Sequence, residues 1–94
     1  MNDLNYVLLS GEVESNVIAV TGGTAEFRLS VAHHERGEVE PVKESYLISA
    51  VGPSAGACVR NLRMGMSIRV VGCLRISPVG EVYVRTDYIE IKAQ

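Results

Sequence analysis

Apolar and polar residues alternate with a period of two through residues 68–76. Ile68, Val70, Gly72, Leu74 and Ile76 fall on one side of an extended chain, and Arg69 and Arg75 fall on the other. One side of this strand suits a core; the other carries separated positive charge. Residues 25–32 repeat the pattern, with Ala25, Phe27, Leu29 and Val31 in one phase and Glu26, Arg28, Ser30 and Ala32 in the other. A third stretch, residues 45–51, alternates Tyr46, Ile48 and Ala50 with Leu47, Ser49 and Val51. Residues 4–14, LNYVLLSGEVE, read as a first strand in which Val7, Leu8 and Leu9 are apolar in succession, a sign of burial on both faces. Gly11 interrupts that strand as a bulge or bend, and residues 17–20 continue the same wall. The last strand, residues 81–91, holds Val82 and Val84 in one phase but Ile89 and Ile91 in the other. A bulge near Thr86 or Asp87 would reconcile the two.

Between these strands the punctuation is clear. Thr21-Gly22-Gly23-Thr24 is a hairpin turn and Ser77-Pro78-Val79-Gly80 another. Residues 33–44, HHERGEVEPVKE, read as a long polar loop broken by Gly37 and Pro41. Gly52-Pro53-Ser54 ends the third strand and starts a helix, in which Ala55, Cys58, Val59 and Leu62 recur at helical spacing on one face. Gly65 then reverses the chain. The order is three strands, one short helix, then two strands. This is the order of an all-β OB-fold, a five-stranded Greek-key barrel with its helix between the third and fourth strands.

Ninety-four residues fill one such domain, residues 1–94, and leave no room for a second. The chain is 47% hydrophobic and only 5% aromatic, and its net charge is −2. That charge does not advertise a polyanion as partner, so any nucleic-acid site is a local patch. Cys58 and Cys73 lack ligand-like spacing and are expected to be reduced thiols. With no basic-apolar leader and no run long enough to span a membrane, the chain is expected to be soluble and cytoplasmic.

Four strings also resemble a known family. NYVLLSGEV, GTAEFRLSVA, ESYLISAVG and NLRMGMSIRVVGCLR look like the bacterial single-stranded DNA-binding proteins, which show an LxGxL-like first strand and LxKGxxVxVxGxLR after the helix. The same stretches resemble the related primosomal replication protein N, with AEFRLSVAHHE as the shared pattern. The resemblance spans nearly the whole chain. It implies a non-enzymatic protein that binds single-stranded DNA in replication, repair or replication restart, with no cofactor. The family stacks bases on several aromatic side chains, whereas Tyr46 is the aromatic kept among the aligned positions. The 33–44 loop is acidic, and the family's acidic C-terminal tail is not expected after the last strand, which tilts toward the primosomal relative or a divergent paralogue. The net negative charge and the shortage of aromatics keep a second reading open, a protein-interaction module that has kept the barrel and lost the nucleic acid.

On the residues themselves, Arg28, Arg69, Arg75 and Arg85 alternate opposite core positions and suit the phosphates of a flexible strand, while Tyr46 and Tyr83, with Tyr88 as a further option, are stacking platforms. His33 and His34 point to opposite faces and complete no metal site. No nucleophile motif or phosphate-binding loop is present. Val7, Leu8 and Leu9 cannot all lie inside one barrel, so a homo-oligomer, dimer or tetramer, is expected through the first strand; replication or helicase proteins as further partners are what the family resemblance implies.

Overall fold

The computed structural model describes residues 3–37 and 39–92. Glu38 of the polar loop lies outside the described residues. The elements run β1 (Val7–Val13), β2 (Ile18–Val20), β3 (Thr24–His33), β4 (Val42–Ala50), α1 (Pro53–Asn61), β5 (Ser67–Ile76) and β6 (Val82–Ile91). The sheet order is β1-β5-β6-β4-β3-β2, and a further β1–β3 pairing closes five of the strands into a barrel. β4 and β6 run parallel; the other pairs are antiparallel. Closure with a helix between β4 and β5 is the OB-fold arrangement expected from the order of elements.

The interior phase is the one the alternation marks. Val13, Ala25, Phe27, Leu29, Ile48, Ala50, Ile68, Val70 and Val84 are buried, and α1 adds Ala55 and Cys58, with Leu62 just beyond its end. Burial also pushes the Cys58 thiol above its ordinary pKa, so it stays protonated and unreactive at neutral pH. The turn at Gly65, with φ at 90°, is tied to the end of β1 by Gly65 N–H donating to Val13 O at 2.8 Å and Val13 N–H donating to Met66 O at 2.9 Å.

The bulge in the last strand falls where the phase change requires it. Val71 pairs with Tyr88, but Gly72 pairs with Thr86, so Asp87 is the extra residue. The Thr86 side chain, 1% exposed, donates to Val71 O at 2.6 Å and accepts from Tyr88 N–H at 3.0 Å. Ser54, read as part of the helix-start signal, caps nothing: α1 has no side-chain cap, and the Ser54 hydroxyl instead donates to Asp87 O at 2.5 Å. It anchors the helix to the bulge.

Four expectations change. Gly11 does not interrupt β1, whose register with β5 is continuous from Val7 to Glu12. A Cβ there would sit 2.2 Å from Ser30 O, so glycine lets β1 pass close to β3. The polar loop is shorter than the composition suggests, because the β3–β4 ladder continues through His33 opposite Val42, Ala32 opposite Lys43 and Val31 opposite Glu44, held by backbone bonds that need no apolar side chains. Val59 is 42% exposed, since the short helix buries a strip too narrow to include it. Leu74 and Ile76 keep the interior phase, opposite Val84 and Val82, yet are 48% and 71% exposed because the β5–β6 hairpin overhangs the barrel.

Two glycines therefore hold the closure. A Cβ on Gly72 would lie 2.1 Å from Arg85 O, as intolerable as the one on Gly11. Gly11→Ala and Gly72→Ala are each expected to lower stability by about 1–3 kcal/mol or more, read as a fall in urea midpoint. An alanine at either position that leaves the midpoint unchanged would contradict these contacts.

Candidate nucleic-acid interface

In antiparallel and parallel ladders alike, paired residues point to the same face, so the register sorts the candidate side chains. Arg28 pairs with Leu47, Arg85 with Ser49 across β4–β6 and with Cys73 across β5–β6, Arg75 with Tyr83, and Arg69 with Glu90. All four arginines occupy the outward phase and are exposed. The strands do not bring all four together.

Arg75, Tyr83, Arg85 and Arg28 lie on the β5-β6-β4-β3 wall. The β4–β6 ladder spans Ile48–Ala50 opposite Val84–Thr86. Next to Ile48 and Val84, a cleft of about 270 Å³ opens between the strands, and Arg28, Tyr46, Leu47, Leu74 and Tyr83 line it. Arg28 and both candidate tyrosines thus converge on one depression, with the Arg75–Tyr83 pair beside it. Tyr46 reaches the cleft from the interior phase, opposite Leu29, and packs partly buried against the core. Its position at the core edge explains its aromatic identity as well as any contact with a ligand.

Arg69 stands apart. It lies six residues before Arg75 on β5, about 20 Å along an extended strand. Its guanidinium is 3.8 Å from Glu90, and Ser10 is its partner on β1. Nearby, the Lys92 ammonium donates to Ser10 Oγ. By contrast, among the described residues no carboxylate lies within ion-pair distance of Arg28, Arg75 or Arg85. Glu14, which follows β1 on the same outward side, is taken up by the Ser45 hydroxyl. An unpaired guanidinium keeps its fork of donors free for a phosphate.

His33 sits between two carboxylates, 3.5 Å from Glu35 and 3.3 Å from Glu44. Among the described residues no group of three His, Cys, Asp or Glu side chains gathers as metal ligands, and no helix is long and apolar enough to cross a membrane.

One aromatic escapes a sequence reading centred on the arginines. Tyr6 is 71% exposed and lines a hollow of about 340 Å³ with Val71, Cys73, Arg85 and Asp87. The signal for it is the alternation of Tyr6, Leu8 and Ser10 against Val7, Leu9 and Gly11. Tyr88 is exposed too, but pairs with Val71 on the far side of the bulge, and its hydroxyl is 3.3 Å from Glu90.

The molecule is therefore, in class, a small closed OB-fold barrel with arginine and tyrosine side chains clustered on one outer wall. Its fold is that of solved single-stranded DNA-binding proteins. The small single-stranded DNA-binding protein of Streptomyces coelicolor superposes with a TM-score of 0.79 at 18% identity, over 98% of this chain and 95% of that one. The second single-stranded DNA-binding protein of Mycobacterium smegmatis gives 0.78 at 20% identity, over 94% and 88%. The Plasmodium falciparum protein, solved in complex with single-stranded DNA, gives 0.77 at 18% identity, over 99% and 98%. No protein-family model and no curated protein sequence matches the chain.

The packing separates two of the site residues by experiment. Tyr46→Ala is expected to cost about 1–2 kcal/mol of stability, because it strips a partly buried ring from the core edge. Arg85→Ala is expected to change stability by less than about 0.5 kcal/mol, as an exposed side chain with no carboxylate in ion-pair range among the described residues. Equal unfolding midpoints for the two variants would show that Tyr46 is not a packing residue.

Proposed function

We propose that this chain is a non-enzymatic single-stranded DNA-binding protein. The strand would run across the β5-β6-β4-β3 wall, its phosphates on Arg75, Arg85 and Arg28 and its bases on Tyr83 and the exposed edge of Tyr46. The observation that carries this reading is the set of three outward guanidinium groups without carboxylate partners among the described residues, beside a tyrosine-lined cleft. Fixed arginines and stacking rings hold a flexible polyanion without reading its sequence. The likeness in fold to the single-stranded DNA-binding proteins supports the same substrate class. A role in replication, repair or replication restart, alongside replication or helicase proteins in the cytoplasm, follows from the family resemblance of the sequence. Arg69 is left out of the path because it stands about 20 Å from Arg75 along β5 and Glu90 lies 3.8 Å from its guanidinium.

The protein is further proposed to act as a homo-oligomer through β1. Val7 and Leu9 face the core, whereas Leu8 is 56% exposed and sits beside Val71 on the outer side. β1 meets β3 only at Glu12 and Val13. Among the described residues no strand pairs with the other edge of residues 7–10, which leaves it open to a further strand.

Fluorescence anisotropy with a labelled oligo-dT of about fifteen nucleotides, near the upper site size of one OB-fold, tests the binding. Binding is expected at low salt, with log K falling against log salt at a slope of about −2 for three phosphate contacts on a single strand. Replacing Arg28, Arg75 and Arg85 together by Ala is expected to abolish it, and Arg69→Ala to leave it nearly unchanged. Absence of binding even at low salt would overturn the reading. Light scattering at micromolar concentration is expected to give a mass above the monomer, reduced to the monomer by Leu8→Lys; a monomeric parent protein would refute the oligomer.

A further inference from the structure

The hollow at the bulge combines features that the binding wall as a whole does not require. Its floor is half-buried and apolar, with Val71 and Cys73, and its rim carries Tyr6, Arg85 and Asp87. Arg85 and Asp87 line the same space with opposite charges, yet no ion pair joins them. The backbone at Asp87 cannot drift far, because its own carbonyl accepts from Ser54 and the preceding Thr86 carbonyl accepts from Val51 N–H at 2.9 Å. The result is a gap flanked by a cation, a carboxylate carried on a fixed stretch of backbone and an exposed aromatic ring.

A nucleotide is complementary to all three. Its phosphate suits the guanidinium, its base face suits the tyrosine, and its base edge meets the carboxylate. The carboxylate then discriminates among bases, since an ionised aspartate only accepts hydrogen bonds. Guanine presents two parallel donors, N1–H and the N2 amine, which match the two carboxylate oxygens. Cytosine and adenine offer an exocyclic amine beside a ring-nitrogen acceptor. Thymine offers one N–H flanked by two carbonyl oxygens, which a carboxylate repels.

We propose that the Tyr6–Arg85–Asp87 hollow is a guanine-selective nucleotide subsite on an otherwise sequence-tolerant surface. The inference rests on the single-stranded DNA reading above and adds a base preference to it. The test compares oligo-dT with the same strand carrying one central guanine, and with the cytosine and adenine counterparts, by competition anisotropy. The guanine strand is expected to bind about five-fold tighter or more, the low end of discrimination by a bidentate contact, with cytosine and adenine between. Asp87→Asn is expected to flatten this preference while oligo-dT binds as well as before or better, which also reports that the variant is folded. Tyr6→Ala is expected to weaken binding of the guanine strand about five-fold or more. Oligo-dT binding without a guanine preference, or a preference that persists in Asp87→Asn, would overturn the subsite and leave the broader reading standing. Failure to bind any of the strands would overturn both.

Discussion

The structure depends on one close backbone approach, that of Gly72 to the Arg85 carbonyl, and on the single extra residue beside it. Val84 and Thr86 face the interior before the bulge, and Ile89 faces it after. A regular strand reverses face at every residue, so positions 86 and 89 cannot both point inward without an inserted residue. Asp87 supplies it. The Thr86 hydroxyl replaces the disrupted ladder bonds with contacts to Val71 O and Tyr88 N–H, and Ser54 fastens the helix to the same spot. Closure of the barrel, seating of the helix and the phase of the outer wall thus converge on a few residues.

That phase decides which charges are available. Upstream of the bulge, Tyr83 and Arg85 point outward beside Arg75 and Cys73, and the parallel pairing of β4 with β6 brings Leu47 and Arg28 to the same wall. Downstream, the outward positions are Tyr88 and Glu90, and Glu90 pairs with Arg69. Among the described residues the barrel consequently has one side where the guanidinium groups have no carboxylate within ion-pair distance and another where Arg69 faces Glu90. A chain with net charge −2 can carry a polyanion-binding wall in this way, because binding responds to the local array within a Debye length and not to the sum.

Most of the fold was legible in the sequence because strand alternation is a local signal. Phe27, Leu29, Ile48, Ile68 and Val70 all lie where a period of two puts them, and the conflict between Val84 and Ile89 located the bulge. Alternation reports phase and not burial, which is why Leu74 and Ile76 were in the right phase yet overhang the core. It also cannot register a close approach between distant strands, so Gly11 read as an interruption when its reason is the Ser30 carbonyl. The candidate site was legible in part. The outward phase of Arg28, Arg69, Arg75 and Arg85 is a local property, but the capture of Arg69 by Glu90 depends on strand register. Tyr6 gains its neighbours Cys73, Arg85 and Asp87 from pairing across more than sixty residues of sequence, about which the string NYVLLSG is silent.

The central claim is that the wall carrying Arg28, Arg75 and Arg85, not the wall of Arg69 and Glu90, meets the nucleic acid. Photo-cross-linking of an oligonucleotide containing 5-iododeoxyuridine, followed by peptide mass spectrometry, reads the contact face directly. The account predicts adducts in the peptides that contain Tyr83 and Tyr46. Adducts confined to the peptide that contains Tyr88 and Glu90, with none at Tyr83 or Tyr46, would contradict it.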